Sequence, residues 1–455
     1  MNTLERRSVA ALASVYATRM LGLFMVLPVF VLLGEDLVGA TPALLGFAIG
    51  AYGLSQALLQ IPFGLLSDRV GRKRMIYIGL ALFCAGSLLA GATDSIYVVI
   101  LGRILQGAGA VASVLMALLS DLTREEQRTK AMATIGISIG LSFSLSLVLG
   151  PLLGSLFGLS GIFFATAILG GLAMLVVWRL VPDPQRRVIS ADTHPAGRML
   201  GQVLRNGRLL RLDFGIFALH LVLTAVFLVV PSLLQNQLSM PSAHHWWFYL
   251  TVMVSSFFAM LPFIIIGEKY RKMKPVFAGA VLLLGLSVAG LTGVGSSFWL
   301  AWGALFFFFM AFNLLEASLP SLVSKEAPAA SKGTAMGVYS TSQFSGAFLG
   351  GSIGGLLLET QGANGVMWFL VAVITVWLLV ALTMPSPSYT RSFVVQLQQG
   401  RQSFDEVDLA LRRLPGVRDV VIVGEARTAY LKVDKQQFDE QQLADMSFVR
   451  QAGTG

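Results

Sequence analysis

The sequence predicts an all-α membrane protein of twelve transmembrane helices in two pseudo-symmetric six-helix bundles, with a small soluble α/β domain at the C-terminal end. Composition is the first reason: of 455 residues, 55% are hydrophobic and only 13% charged, and the mean hydropathy is +0.74. That is more apolar surface than a water-soluble core of this length can hide. The second is a series of apolar runs of about 20 residues, the length that crosses roughly 30 Å of hydrocarbon. They begin near Ser8, Ala43, Met75, Ile96, Ala131, Gly161, Leu212, His245, Val276, Phe298, Gly333 and Asn364. The third is the spacing of the cations between those runs.

Lys and Arg resist translocation and mark the cytoplasmic side of a bilayer. Arg6 and Arg7, the cluster Arg69 to Arg74, Arg124 to Lys130, Arg179 to Arg211, Lys269 to Lys274, Lys325 and Lys332 all fall on alternate connections. The intervening connections carry Glu35, Asp36, Asp94 and Glu359 and no cation. An even number of spans with both termini cytoplasmic follows, and a miscount by one would put positive clusters on both sides. The first run is too long for a signal-peptide core and no small-residue cleavage site closes it, so it is expected to remain as the first span.

A shift of 200 residues aligns Pro62-Phe63 with Pro262-Phe263, Asp68-Arg69 with Glu268-Lys269, Arg72 and Arg74 with Lys272 and Lys274, and Gly150 and Gly154 with Gly350 and Gly354. Such a match points to a parallel repeat, residues 1–181 and 212–385, joined by a basic linker over 182–211. The linker carries Arg186, Arg187, Arg198, Arg205, Arg208 and Arg211 against Asp183 and Asp192, a segment suited to rest on anionic lipid headgroups. Two such halves around a midplane chamber imply alternating access.

The connection Gly64-Leu65-Leu66-Ser67-Asp68-Arg69-Val70-Gly71-Arg72-Lys73-Arg74 places glycines where backbones crowd, an acid suited to a helix N-terminus, and cations that hold the loop at one face. Its pattern, Gly-x-x-x-Asp-Arg-x-Gly-Arg-x-Arg, resembles the signature loop of the major facilitator superfamily of transporters, with every signature position filled. The resemblance implies a conformational latch of Gly64, Asp68, Arg69, Gly71, Arg72 and Arg74. In it Asp68 accepts from the free N–H groups opening the eleventh span near Gly333 and Thr334, and Asp121 pairs with Arg72 or Arg74.

Ionisable groups stranded within spans are costly and are functional candidates by default. Arg103, in Arg103-Ile104-Leu105-Gln106-Gly107, resembles a motif of proton-driven members of the superfamily, which implies a cavity-facing role; snorkelling to headgroups is the alternative. Arg19 sits midway along the first span, suited to an acid, a carbonyl or an anionic substrate. Many multidrug exporters of this superfamily are expected to have an acid in that span, so cationic-drug specificity is in doubt here. Glu316, with Asn313 one turn before it, is the only carboxylate well inside a span; it is read as the proton carrier, or as a structural partner of an arginine. Asp213 is read as interfacial, and His220 as a hydrogen-bonded histidine or a titrating one. Gly150-Pro151-Leu152-Leu153-Gly154 resembles the core of the drug/proton antiporter motif, although Ser146 and Ser155 stand where the family prefers glycine; its residues are expected to pack helices.

Beyond Pro385 the character changes: nine cations balance nine acids from Arg391 onward, which marks residues 386–455 as a separate soluble domain. Phe393, Val395 and Leu397 alternate as a strand. Ser403 to Glu406 form a capping box for a helix with Phe404, Val407 and Leu411 on one face. Val417 to Val423 and Ala429 to Val433 read as a hairpin, and Phe438 to Val449 as a helix. This βαββα order resembles a ferredoxin-like domain of the heavy-metal-associated kind, but no Cys-x-x-Cys is present. Thiolate metal carriage is excluded, leaving regulation, small-ligand binding or self-association. Cys84 is the single cysteine, read as a small core hydrophobe. No metal-ligand spacing, nucleophile elbow, phosphate loop or nucleic-acid motif is present, so no cofactor and no enzyme activity are expected. The reading is a proton-coupled exporter or antiporter of a small molecule in a bacterial inner membrane. A proton symporter, or a membrane sensor reporting through the C-terminal domain, is the alternative.

Overall fold

The computed structural model describes the chain except for residues 183–195, 328–331, 387–389, 399–402, 424–426, 435–436, 447 and 455. Linker residues Arg186, Arg187 and Asp192 therefore lie outside the described residues. The first span is α1 (Thr3–Phe24) and α2 (Phe30–Gly34), parted at Pro28, which has no N–H to continue the ladder. Asn2 and Glu5 close a reciprocal capping box at the start of α1. Then come α3 (Pro42–Val70), capped by Thr41 with Pro42 at its first position, and α4 (Arg72–Gly91). α5 (Ile96–Ala108) and α6 (Ala112–Leu122) form the fourth span. It breaks where Gly109 meets the Gly79 carbonyl so closely that a Cβ there would lie 2.2 Å from the oxygen.

α7 (Glu125–Leu180) contains the fifth and sixth spans, reversed at Gly158 (φ 66°, ψ −169°). After α8 (Ala196–Arg205) follow α9 (Gly207–Asn236), α10 (His245–Lys269), α11 (Met273–Leu291) and α12 (Phe298–Glu326). The last two spans share α13 (Lys332–Leu382), reversed at Gly362 (φ 69°, ψ −171°). Only glycine holds those angles without strain, and the near-identical pair marks the same turn in both halves. Among the described residues nine helical segments are apolar and long enough to cross a membrane; two contain such a reversal, and α1, which carries Arg6, Arg7 and Arg19, is not one of them.

The repeat is visible in the packing. A Cβ on Gly150 would lie 2.3 Å from the Met25 carbonyl oxygen in the first span, and one on Gly350 would lie 2.3 Å from the Leu221 oxygen in the seventh. Gly154 faces Val29 and Leu33, while Gly354 faces Ala225 and Leu228. Small residues thus seat the fifth and eleventh spans against the first and seventh with backbones nearly touching.

The C-terminal domain has β1 (Thr390–Leu397), α14 (Phe404–Arg412), β2 (Val417–Val423), β3 (Thr428–Asp434), α15 (Glu440–Ala444) and β4 (Val449–Thr454). They form one antiparallel sheet in the order β2-β3-β1-β4, a ferredoxin-like βαββαβ arrangement with one strand more than the sequence reading. The expected helix from Phe438 to Val449 is only five residues long. The chain then extends as β4, an edge strand of small and polar residues whose alternation is too weak to read alone. Phe393, Val395, Leu411, Leu431 and Val433 fill the core, whereas Phe404 is 48% exposed rather than packed.

Candidate functional site

Arg72 is the hub of the charged loop. Its guanidinium reaches Asp68 Oδ1 at 2.5 Å and Asp121 Oδ2 at 3.2 Å, and donates to Ser67 Oγ at 2.5 Å. Gly71 caps α3 at φ 106°, and Gly64 lies against Ser113 of α6; both glycines answer a geometric need. Arg69 and Arg74 are exposed. Asp68 is half exposed on Arg72 and, among the described residues, makes no hydrogen bond to Gly333 or Thr334 of α13. In the second half Glu268 meets Lys325 of α12 at 2.7 Å, one ion pair at the place where the first half has the Asp68–Arg72–Asp121 relay.

Inside the first half, Arg19 and Arg103 are 2% and 1% exposed. Arg19 Nη2 donates to the Tyr52 hydroxyl at 2.8 Å and to Gln56 Oε1. Arg103 donates to Gln106 Oε1 at 2.8 Å and to the Ala48 carbonyl at 3.4 Å, and Gln106 donates onward to Ser87. The Arg103 side chain is therefore turned into the bundle, away from the headgroups. Both guanidinium carbons lie over the Tyr52 ring, 6.0 and 5.1 Å from its centroid.

Inside the second half, His220 of α9 lies 3.9 Å from Glu316 of α12, beyond hydrogen-bond length, and 2.8 Å from the Gln343 amide of α13. Glu316 is 31% exposed, yet its Oε2 is buried and unpartnered. Asn313 reaches Ser256 of α10 at a long 3.5 Å. Asp213, read from sequence as interfacial, is 5% exposed within the bundle, with neither carboxylate oxygen hydrogen-bonded. Tyr339 lies within electrostatic reach of both carboxylates, its hydroxyl unpartnered.

The halves meet along α3 and α13. Gly46, Gly50 and Gly53 run against Gly351, Phe348 and Phe344, and a Cβ on Gly46 would lie 2.3 Å from the Gly351 oxygen. Beyond them, at the face bearing the acidic connections, the Ala43 N–H donates to Glu359 Oε2 at 3.0 Å: a carboxylate from one half caps a helix of the other. Towards the basic face the Tyr52 and Phe344 rings lie 6.4 Å apart, and a Cβ on Gly333 or Gly337 would meet nothing within 4 Å. A second seam joins Phe143 of α7 to Phe309 and Phe312 of α12, and Phe312 lies against His220. Sequence reasoning found Arg19, Arg103, His220 and Glu316 but missed Tyr52, Gln56, Gln106, Gln343 and Glu359. Four of these are polar groups inside apolar runs, a signal weaker than charge but present.

A family model for the Major Facilitator Superfamily matches residues 12–351, and the chain belongs to that superfamily of membrane transporters; it is a transporter, not an enzyme. It is 46% identical over 434 residues to the inner membrane transport protein YajR of Escherichia coli K12, covering 95% of both chains. It is 26% identical to the quinolone resistance protein NorA of Staphylococcus aureus MSSA476, over 75% of this chain and 87% of that one. Among solved structures, a bacterial homologue of the human lysosomal transporter Spinster superposes with a TM-score of 0.68 at 14% identity, over 84% of this chain and 96% of that one.

Proposed function

We propose that the chain is a proton-coupled exporter of a small molecule in a bacterial inner membrane, with its basic connections and both termini in the cytoplasm. The observation that carries the coupling is Glu316: a carboxylate within a span, half-open to the chamber, with His220 and Gln343 behind it. Groups of that kind in a transporter chamber serve as proton relays. Export is supported by the likeness to the quinolone resistance protein NorA. The glycine seam and the Glu359 cap between α3 and α13, with Asp68 on Arg72 and not on α13, support reading this arrangement as the inward-open one, the Asp68–Arg72–Asp121 latch closing onto α13 in the outward-open state.

In proteoliposomes with an imposed pH gradient, Glu316→Gln is expected to keep the protein folded while abolishing substrate-coupled proton movement. Unchanged coupled flux in that variant would reject the assignment. The C-terminal domain regulates rather than transports: Asp434 at the end of β3 pairs with Arg271 between α10 and α11 at 3.3 Å, which ties the domain to the loop that repeats the latch.

A further inference from the structure

From the first half's interior we infer that the transported substrate is an organic anion, a carboxylate carried on an apolar body, and that Arg19 binds its charged end. This names the substrate class of the chamber described above and rests on the transporter reading of it. Arg19 and Arg103 are both almost wholly buried, and every hydrogen-bond acceptor they meet is neutral: a tyrosine hydroxyl, two glutamine amides and a backbone carbonyl. The acidic residues of this half lie at its two faces, Glu125 and Glu126 among them at the start of α7. Glu5, Asp68 and Asp121 are at the basic face on Arg124 and Arg72, and Glu35, Asp36 and Asp94 are on the opposite connections. Two cations are thus held close together out of water without a counter-charge. Such an arrangement costs several kcal/mol per ion unless something compensates it.

The hydrogen-bond inventory says where compensation fits. Nε and Nη1 of Arg19 are buried and unpartnered, as is Nη2 of Arg103. Nε–H and Nη1–H of Arg19 point to different sides of the guanidinium, because the nitrogen between them, Nη2, is taken by Tyr52 and Gln56; each free donor therefore offers one charge-assisted hydrogen bond to an anion. The ring of Tyr52 faces Phe344 across the seam between halves, and Leu23 and Phe83 pack with them, an apolar surround for the rest of the molecule. The Tyr52–Phe344 contact bridges the two halves, so a movement of α3 against α13 changes access to Arg19, as a substrate site at the midplane requires.

The purified full-length protein, titrated by thermal shift with 1-naphthoate, its neutral amide 1-naphthamide and the cation 1-naphthylmethylammonium, tests this. Stabilisation by 1-naphthoate alone is expected, with a Kd raised at least about tenfold in Arg19→Gln and partly restored in Arg19→Lys, where the charge returns on a single nitrogen. Equal stabilisation by the amide in the wild-type protein overturns the inference, and that comparison needs no variant to fold. Naphthoate binding that is unchanged in a folded Arg19→Gln also overturns it, as does no binding of naphthoate. An Arg19-dependent shift from phosphatidylglycerol with none from naphthoate would assign the free Arg19 donors to a lipid headgroup and reject a transported anion. Each readout is binding at fixed pH, so loss of proton coupling in Glu316→Gln would leave it unaffected.

Discussion

Gly46 shows how much a single residue decides. The carbonyl of Gly351 and the Cα of Gly355 occupy the space where its side chain would be, so α3 and α13 approach at backbone distance only because both carry glycine there. Gly46→Val forces the helices apart, and overpacking of this kind costs about 1–3 kcal/mol. The variant is expected to unfold at a lower temperature than the wild-type protein in a thermal-shift assay, and an unchanged midpoint would contradict this. The seam was legible as a glycine-rich stretch, but a stripe of small residues does not say which helix it meets. Arg19 and Glu316 were found because charge inside an apolar run stands out. The burial of Asp213 was not legible, because its position near a span's end is the same whether neighbouring helices cover it or not.

At the scale of elements, α1 is fastened by its own N-terminus. Glu5 completes the capping box with Asn2 and receives Arg124 Nε at 2.9 Å from the start of α7. The Arg124 guanidinium first, and the Asn2 and Arg124 backbone N–H groups with it, hold the Glu5 carboxyl down to about 2 from its usual 4.5, against the opposing effect of burial. Glu5 lies in the first turn of α1, ahead of the apolar run that begins near Ser8 and at the basic face. A depressed carboxyl contributes stability that is whole above pH 4.5 and is lost as pH falls towards 2. Glu5→Gln is therefore expected to lower the melting temperature at pH 7 and to flatten its decline between about pH 5 and 2; an identical acid slope in the variant would contradict this. Spans and caps were readable because periodicity and composition are local. The break at Gly109 and the added strand β4 were not, since each answers to a neighbour distant in sequence, Gly79 for the one and β1 for the other.

For the whole molecule, α3 and the eleventh span, the part of α13 ahead of Gly362, are antiparallel, and each carries a carboxylate near its C-terminal end. Glu359 caps α3 here, while Asp68 rests on Arg72. On the latch proposed above, the two carboxylates act at opposite ends of one helix pair, so closing one clamp is expected to open the other. A charge at a helix N-terminus contributes about 0.3–1 kcal/mol, which shifts a two-state population roughly two- to fivefold. Glu359→Gln is expected to raise the outward-open fraction, and Asp68→Asn to raise the inward-open one and slow transport without unfolding. Spin-label distances between thiols at Ala40 and Thr360, in a Cys84→Ser background, read both. Shifts in the same direction would rule out a seesaw.

Hydropathy, charge alternation and an internal match across 200 residues determined the membrane class, the span count and the two-fold architecture, because each depends only on what a residue prefers as solvent. Which face is sealed, which arginine lacks a counter-ion and which carboxylate caps which helix were decided by tertiary structure. Those are properties of pairs brought together by folding, and a transporter with two states makes different pairs from one sequence.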